Sequence, residues 1–249
     1  MLRSAVVRLL VLVLVPGALT AQAPGKWPPD SLINVKVFPK NTPVNQVVGQ
    51  MRNITQGLGV RCHYCHEGEE GTPLEKTDFA SDKKRPKLVA RQMLRMVQEI
   101  NARLDTIPER PSSKVDVTCR TCHRGVSRPM PLANVVIDAS LAAGADSGLR
   151  AYQGLREKYY GRDSYDFGES SLNVAAFRLA RENKFDDALK VLDYNEKLFP
   201  NSSGMSVFRG NVLLLKGDTA SAANAFREAI RRDSTNGEAR GRLKDLGQK

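Results

Sequence analysis

Three histidines, four cysteines and one tryptophan are all that 249 residues supply of these types. Each shortage excludes something. No cysteine precedes Cys62, so a lipid anchor on a processed N-terminal cysteine is not expected. The longest apolar run, Leu9 to Val15, is too short to span a bilayer as a stable helix. No Ser-His-Asp grouping, paired-carboxylate constellation or Gly-rich phosphate loop argues for hydrolytic or phosphoryl chemistry. Aromatic residues make up only 6% of the chain. The formal net charge is +11, two units of it from Arg3 and Arg8, and the basic residues are scattered along the chain. That distribution is a poor fit to nucleic acid. It suits either an acidic protein or anionic membrane partner, met faster through electrostatic attraction, or a solvated surface with no specific partner.

What is present is concentrated. All four cysteines fall in two matching signatures, Cys62-His63-Tyr64-Cys65-His66 and Cys119-Arg120-Thr121-Cys122-His123. Two thiols three positions apart lie on one side of a helical turn and can add to the two vinyl groups of one porphyrin. The histidine that follows then lies beneath the ring as a proximal iron ligand. Each signature therefore reads as an attachment site for haem c, with His66 and His123 as proximal ligands and two covalent haems in all. The competing reading is one four-cysteine zinc site. A histidine after both pairs is not something such a site requires.

The chain opens like an export signal. Arg3 and Arg8 flank the apolar run, and Pro16, Gly17 and mostly small residues to Ala23 follow, so residues 1–23 read as a signal peptide cut after Ala21. An uncleaved anchor is the lesser alternative. Export to the periplasm, free or at the outer face of the inner membrane, favours thioether formation over a cytosolic zinc site. The length that remains suits two modest domains.

Histidine supply restricts the distal ligands. With His66 and His123 assigned, only His63 is left, and it lies inside its own attachment loop. Bis-histidine ligation of both haems within one chain is excluded, so the sixth ligands are methionine, another weak ligand, water or nothing. Thr42 and Pro43 form an N-cap and first helical position. Val44, Val47, Val48, Met51, Ile54 and Leu58 then follow at helical spacing, closed by Gly57 and Gly59. A second helix from about Pro86 carries Val89, Met93, Met96, Val97, Ile100 and Leu104 on one face. Each helix precedes one signature and places methionine on its apolar stripe, where it either ligates or only fills space.

The stretch from Met51 to Gly125, with Leu58-Gly59-Val60-Arg61 before the first signature, Ala90-Arg91-Gln92-Met93-Leu94-Arg95-Met96, and Val117-Thr118 before the second, resembles the cytochrome c subunit of photosynthetic reaction centres. The resemblance covers roughly residues 32–130. In that multihaem family a helix bearing the axial methionine lies along each haem and turns into the attachment motif. It implies Met51 as distal ligand of the first haem and Met93 as that of the second, with Met96 a packing residue. The family's best-known members carry four haems and often a lipid anchor; this chain has two motifs and no anchoring cysteine. The implied function is single-electron transfer, as in the subunit that re-reduces a reaction centre, toward redox proteins in a photosynthetic or respiratory membrane complex. Histidine–methionine ligation leaves no open coordination site, so no enzymatic activity is expected. Two other functions compete: a peroxidase-like enzyme with one open haem, and a redox sensor that recruits partners. Asp78, Asp82, Glu67, Glu69 and Glu70 read as solvated loop residues, calcium being the alternative for the glutamates.

The rest reads as helical. Residues 131–167 are expected to be a connector, rich in proline and small residues, with one helix through Leu149, Tyr152, Leu155 and Tyr159. From 168 onward a period of 34 relates Ala176 to Gly210, Ala188 to Ala222 and Leu192 to Phe226. That is the tetratricopeptide spacing, giving two repeats plus a capping helix over Glu238 to Leu246, either a docking surface for a protein partner or a stabilising appendage. The expected fold is mainly α: a dihaem c-type domain with haem-flanking helices over 32–130, then a short helical-repeat domain over 168–249.

Overall fold

The computed structural model describes residues 26–109 and 115–247; the expected signal peptide lies outside them. Among the described residues there are ten α-helices and no strand, save an isolated antiparallel bridge between Glu67 and Asp78. None of these helices is long and apolar enough to cross a membrane.

Helix α1 spans Val44–Leu58. It starts one residue later than the sequence suggests, because Pro43 is extended (ψ 140°) and takes the cap position itself. The Thr42 hydroxyl bonds back to the Pro39 carbonyl at 2.7 Å instead of capping the helix. Gly59, at φ 65°, ends the helix in the left-handed conformation, and the Val60 N–H returns to the Thr55 carbonyl, a six-to-one closure that suits glycine. Helix α2 (Arg85–Leu104) begins with Pro86 in its first turn, where a missing N–H costs nothing. The short α3 (Cys119–His123) is the second signature itself, opened by a reciprocal capping box between Thr118 and Thr121.

Beyond Pro131 the helices pair. The region expected to be a connector with one helix holds two, α4 (Leu132–Ala143) and α5 (Ala145–Tyr159), folded back on each other at Gly144. Gly144 has φ 79°, so a single residue makes the reversal. They are followed by α6 (Glu169–Arg181) with α7 (Phe185–Leu198), α8 (Ser203–Lys216) with α9 (Thr219–Arg232), and α10 (Gly237–Asp245). The three hairpins stack, α4 on α6 and α6 on α8, with α10 closing against α9.

Sequence matches at the expected period become packing matches. Ala176, Ala188, Leu192, Ala222 and Phe226 are all fully buried. A Cβ at Gly210 would sit 2.4 Å from the Phe226 ring, so the absent side chain is the space the ring occupies. The first hairpin repeats the scheme with different residues. A Cβ at Gly148 would lie 2.7 Å from the Val136 carbonyl, and Tyr152 fills the core where Leu192 and Phe226 do in the later hairpins. Among the described residues this stack carries nearly all the buried apolar side chains; those of 26–130 contribute only Val47, Val48, Ile54 and Val126.

Candidate functional site

The first signature forms a 3-10 turn, Cys62–Tyr64, entered from α1. Met51, Cys62, Cys65 and His66 all line one cavity of about 850 Å³, within the roughly 300–1,000 Å³ typical of cofactor sites. Its walls are mostly apolar: Val47, Val48 and Ile54 from α1, Ala90 and Leu94 from α2, and Leu32, Val35 and Phe38 from the segment before α1. His66 is half-buried and its Nδ1 has no hydrogen-bond partner among the described residues. Burial, and then the Lys87 and Arg91 charges, lower its pKa to about 4, which keeps the imidazole neutral and able to donate a lone pair to a metal.

The wall opposite α1 is a loop that α2 holds in place by its cations. Buried Lys87 donates to the carbonyls of Phe79, Ala80 and Ser81 at 2.9, 2.9 and 2.7 Å and pairs with Asp82 at 3.1 Å. Arg91 reaches Asp82 at 2.8 Å and the Asn34 carbonyl at 3.2 Å. Lys84 bonds the carbonyls of His63 and Gly68. These contacts set Phe79 with its ring 4.9 Å from that of His66, and Trp27 stacks on Phe79 at 4.5 Å. His63 turns away from the cavity, its Nε2 2.9 Å from the buried Thr77 hydroxyl.

The second signature is more open. Cys122 is exposed and Cys119 partly so. His123 Nδ1 donates to the Val126 carbonyl at 2.9 Å, which fixes the tautomer and leaves Nε2 free as a ligand atom. Met93 is on α2, but the expected buried stripe is not buried: Val89, Met93 and Met96 are each more than 40% exposed. Among the described residues that face stays exposed, and α2 has Lys87 as its one buried residue. Ala90 and Leu94, which line the cavity, lie on the adjacent face of the same helix. Asn101 ties the two elements together, giving and taking one hydrogen bond with the backbone of Val117, at 2.9 and 2.8 Å.

The two cysteine pairs do not converge. Among the described residues no three His, Cys, Asp or Glu side chains are placed to hold a metal ion. Without such convergence the four-cysteine zinc reading is dropped. The calcium reading fares no better: Glu67 pairs with Lys83 at 3.0 Å and Glu70 with Arg61 at 3.6 Å, all on the surface. Paired thiols, a neutral imidazole and a thioether around an apolar cavity are the donor set of covalent haem.

A family model described as photosynthetic reaction centre cytochrome C subunit matches residues 15–147. The chain belongs to that family. Over 100 residues it is 34% identical to the photosynthetic reaction center cytochrome c subunit of Rubrivivax gelatinosus, a match covering 39% of this chain and 23% of the relative. Over 71 residues it is 38% identical to cytochrome c-554 of Chloroflexus aurantiacus, covering 28% and 15%. The chain thus spans less than a quarter of each relative's length. Membership makes it a c-type cytochrome, whose cofactor is covalently held haem c, and the family match ends just inside α5. Three residues that build the site carried no signal in the sequence reading: Lys87, Asn101 and Phe79. Each acts through backbone or ring contacts with residues remote in sequence.

Proposed function

We propose that the chain is an exported dihaem cytochrome that passes single electrons between redox proteins, one of them a membrane complex of the reaction-centre or respiratory kind. Haem c, when bound, supplies a one-electron couple whose potential follows its axial ligands. Cys62 and Cys65 would hold the first haem through thioether bonds, with His66 and Met51 as the side chains offered to its iron. Val47, Ile54 and Leu94 exclude water from it. Cys119 and Cys122 would hold the second, with His123, oriented by its bond to the Val126 carbonyl, and Met93, from the exposed face of α2, as the side chains offered to its iron. The observation that carries the reading is the meeting of Met51, both thiols and His66 on one apolar cavity. A centre closed on both sides has no site for substrate, which favours a carrier over a peroxidase.

Intact mass should give two haems per chain. Met51→Ala and Met93→Ala, made separately, should each lower one of two midpoint potentials and remove half of the far-red methionine-to-iron band of the oxidised protein. If neither potential moves, the ligand assignment fails. High-spin ferric signal with peroxide turnover in the unmodified protein would overturn the carrier reading.

A further inference from the structure

The connection from α5 to α6 takes nine residues, 160–168, where four suffice from α7 to α8 and from α9 to α10. The extra length is not slack. Tyr165 and Phe167 turn into the repeat core, edge-on to Tyr159 at 5.4 Å and Tyr152 at 5.7 Å, and Phe167 is buried. The Asp166 carboxylate accepts from the Gly168 N–H at 2.8 Å, and its carbonyl accepts from the Ser171 hydroxyl at 2.6 Å. So the loop is fixed on one side by rings and on the other by a local turn.

From that base it reaches the second haem signature. The Ser164 hydroxyl donates to the Arg124 carbonyl at 2.7 Å, and Asp163 stands 3.6 Å from Arg120. The ion pair is exposed at both ends and contributes little. The Ser164 bond acts where the chain is constrained. Arg124, at φ 49°, follows His123 directly, and the Val126 carbonyl two residues on is the acceptor for His123 Nδ1. On the far side of the same turn, the Gly125 N–H donates to the Gly57 carbonyl at 2.8 Å. A left-handed turn at a residue with a side chain needs outside support, and here it has support from both flanks.

We propose that Ser164 is a positioning residue for the second centre: through the Arg124 carbonyl, the helical-hairpin region holds the turn that aims the His123 imidazole. This rests on the reading of His123 as an iron ligand. It gives the hairpins a task inside the molecule, bracing the proximal side of one haem and not the other.

The test uses the full-length holoprotein with Ser164→Ala and Ser164→Thr. Expected for Ser164→Ala are two haems by mass, a shift in one midpoint potential with the other unmoved, and faster hydrogen exchange at the Gly125 and Val126 amides; Ser164→Thr, which keeps the hydroxyl, should restore both readouts. Unchanged potentials and exchange, or an equal shift of both potentials, would overturn the proposal. A single haem in the unmodified protein would instead show that the dihaem reading had failed, and this inference with it.

Discussion

Residues 131–247 and residues 26–130 solve the folding problem in opposite ways. The hairpin region is packed on itself: Tyr152, Leu172, Leu179, Leu192 and Phe226 are buried to within 1% of completely. The region with the two signatures keeps its apolar residues around a cavity or on the surface, and its longest helix buries only Lys87. One half has a core made of side chains; the other leaves the place of a core for a cofactor, so its stability is tied to what it binds.

The largest effect should come from denying that cofactor. Replacing Cys62, Cys65, Cys119 and Cys122 together by alanine, which removes both thioethers from each site, should cost residues 26–130 most of their cooperative unfolding while the hairpins still melt in one transition. Proteolysis fragments mapped by mass would show it, and equal loss of both halves would break the comparison.

Next comes the reverse perturbation. Phe226→Ala empties the space that Gly210 leaves for the ring and should destabilise the hairpin region by about 3–5 kcal/mol. Chemical denaturation followed by circular dichroism measures this, while the haem absorption spectrum should stay as it was.

The smallest effect concerns acid. The Arg91, Asn34 and Lys87 contacts hold the Asp82 carboxyl well below the usual carboxylate range. A carboxylate with a depressed folded pKa stabilises the native state above its unfolded value and loses that contribution as pH falls. The cavity loop should therefore loosen as pH drops below about 4, and Asp82→Asn should flatten that dependence. Trp27, the single tryptophan, stacks on Phe79 in this region, so its fluorescence follows the loop and not the hairpins.

The same contrast explains what the sequence could disclose. The two cysteine signatures are local, five residues long, and legible at once, as are α1, α2 and the hairpins at the 34-residue period. The α4–α5 hairpin was not, because the nine-residue connection shifts Val136, Gly148 and Tyr152 out of register with Ala176, Ala188 and Leu192. Pro131 and the small residues to Gly144 looked like a linker, but Pro131 caps α4 and Gly144 makes the reversal. At the site, Lys87, Asn101 and Ser164 act on backbone carbonyls between 6 and 40 residues away. Such bonds leave no periodic trace, and only the folded chain reveals them. The methionine stripe of α2 was correctly placed on one face and wrongly expected to be buried, since periodicity marks an apolar face without saying what covers it.

Helix α2 presents Ala90 and Leu94 to the cavity and Val89, Met93 and Met96 to an adjacent, exposed face. A stiff rod shared in this way cannot move for one face alone. On the proposed assignment of Met93, any displacement of α2 at the cavity also moves the ligand of the second centre. Selection or engineering that retunes one centre by moving α2 would then disturb the other as well, so independent adjustment has to come from residues that touch a single site.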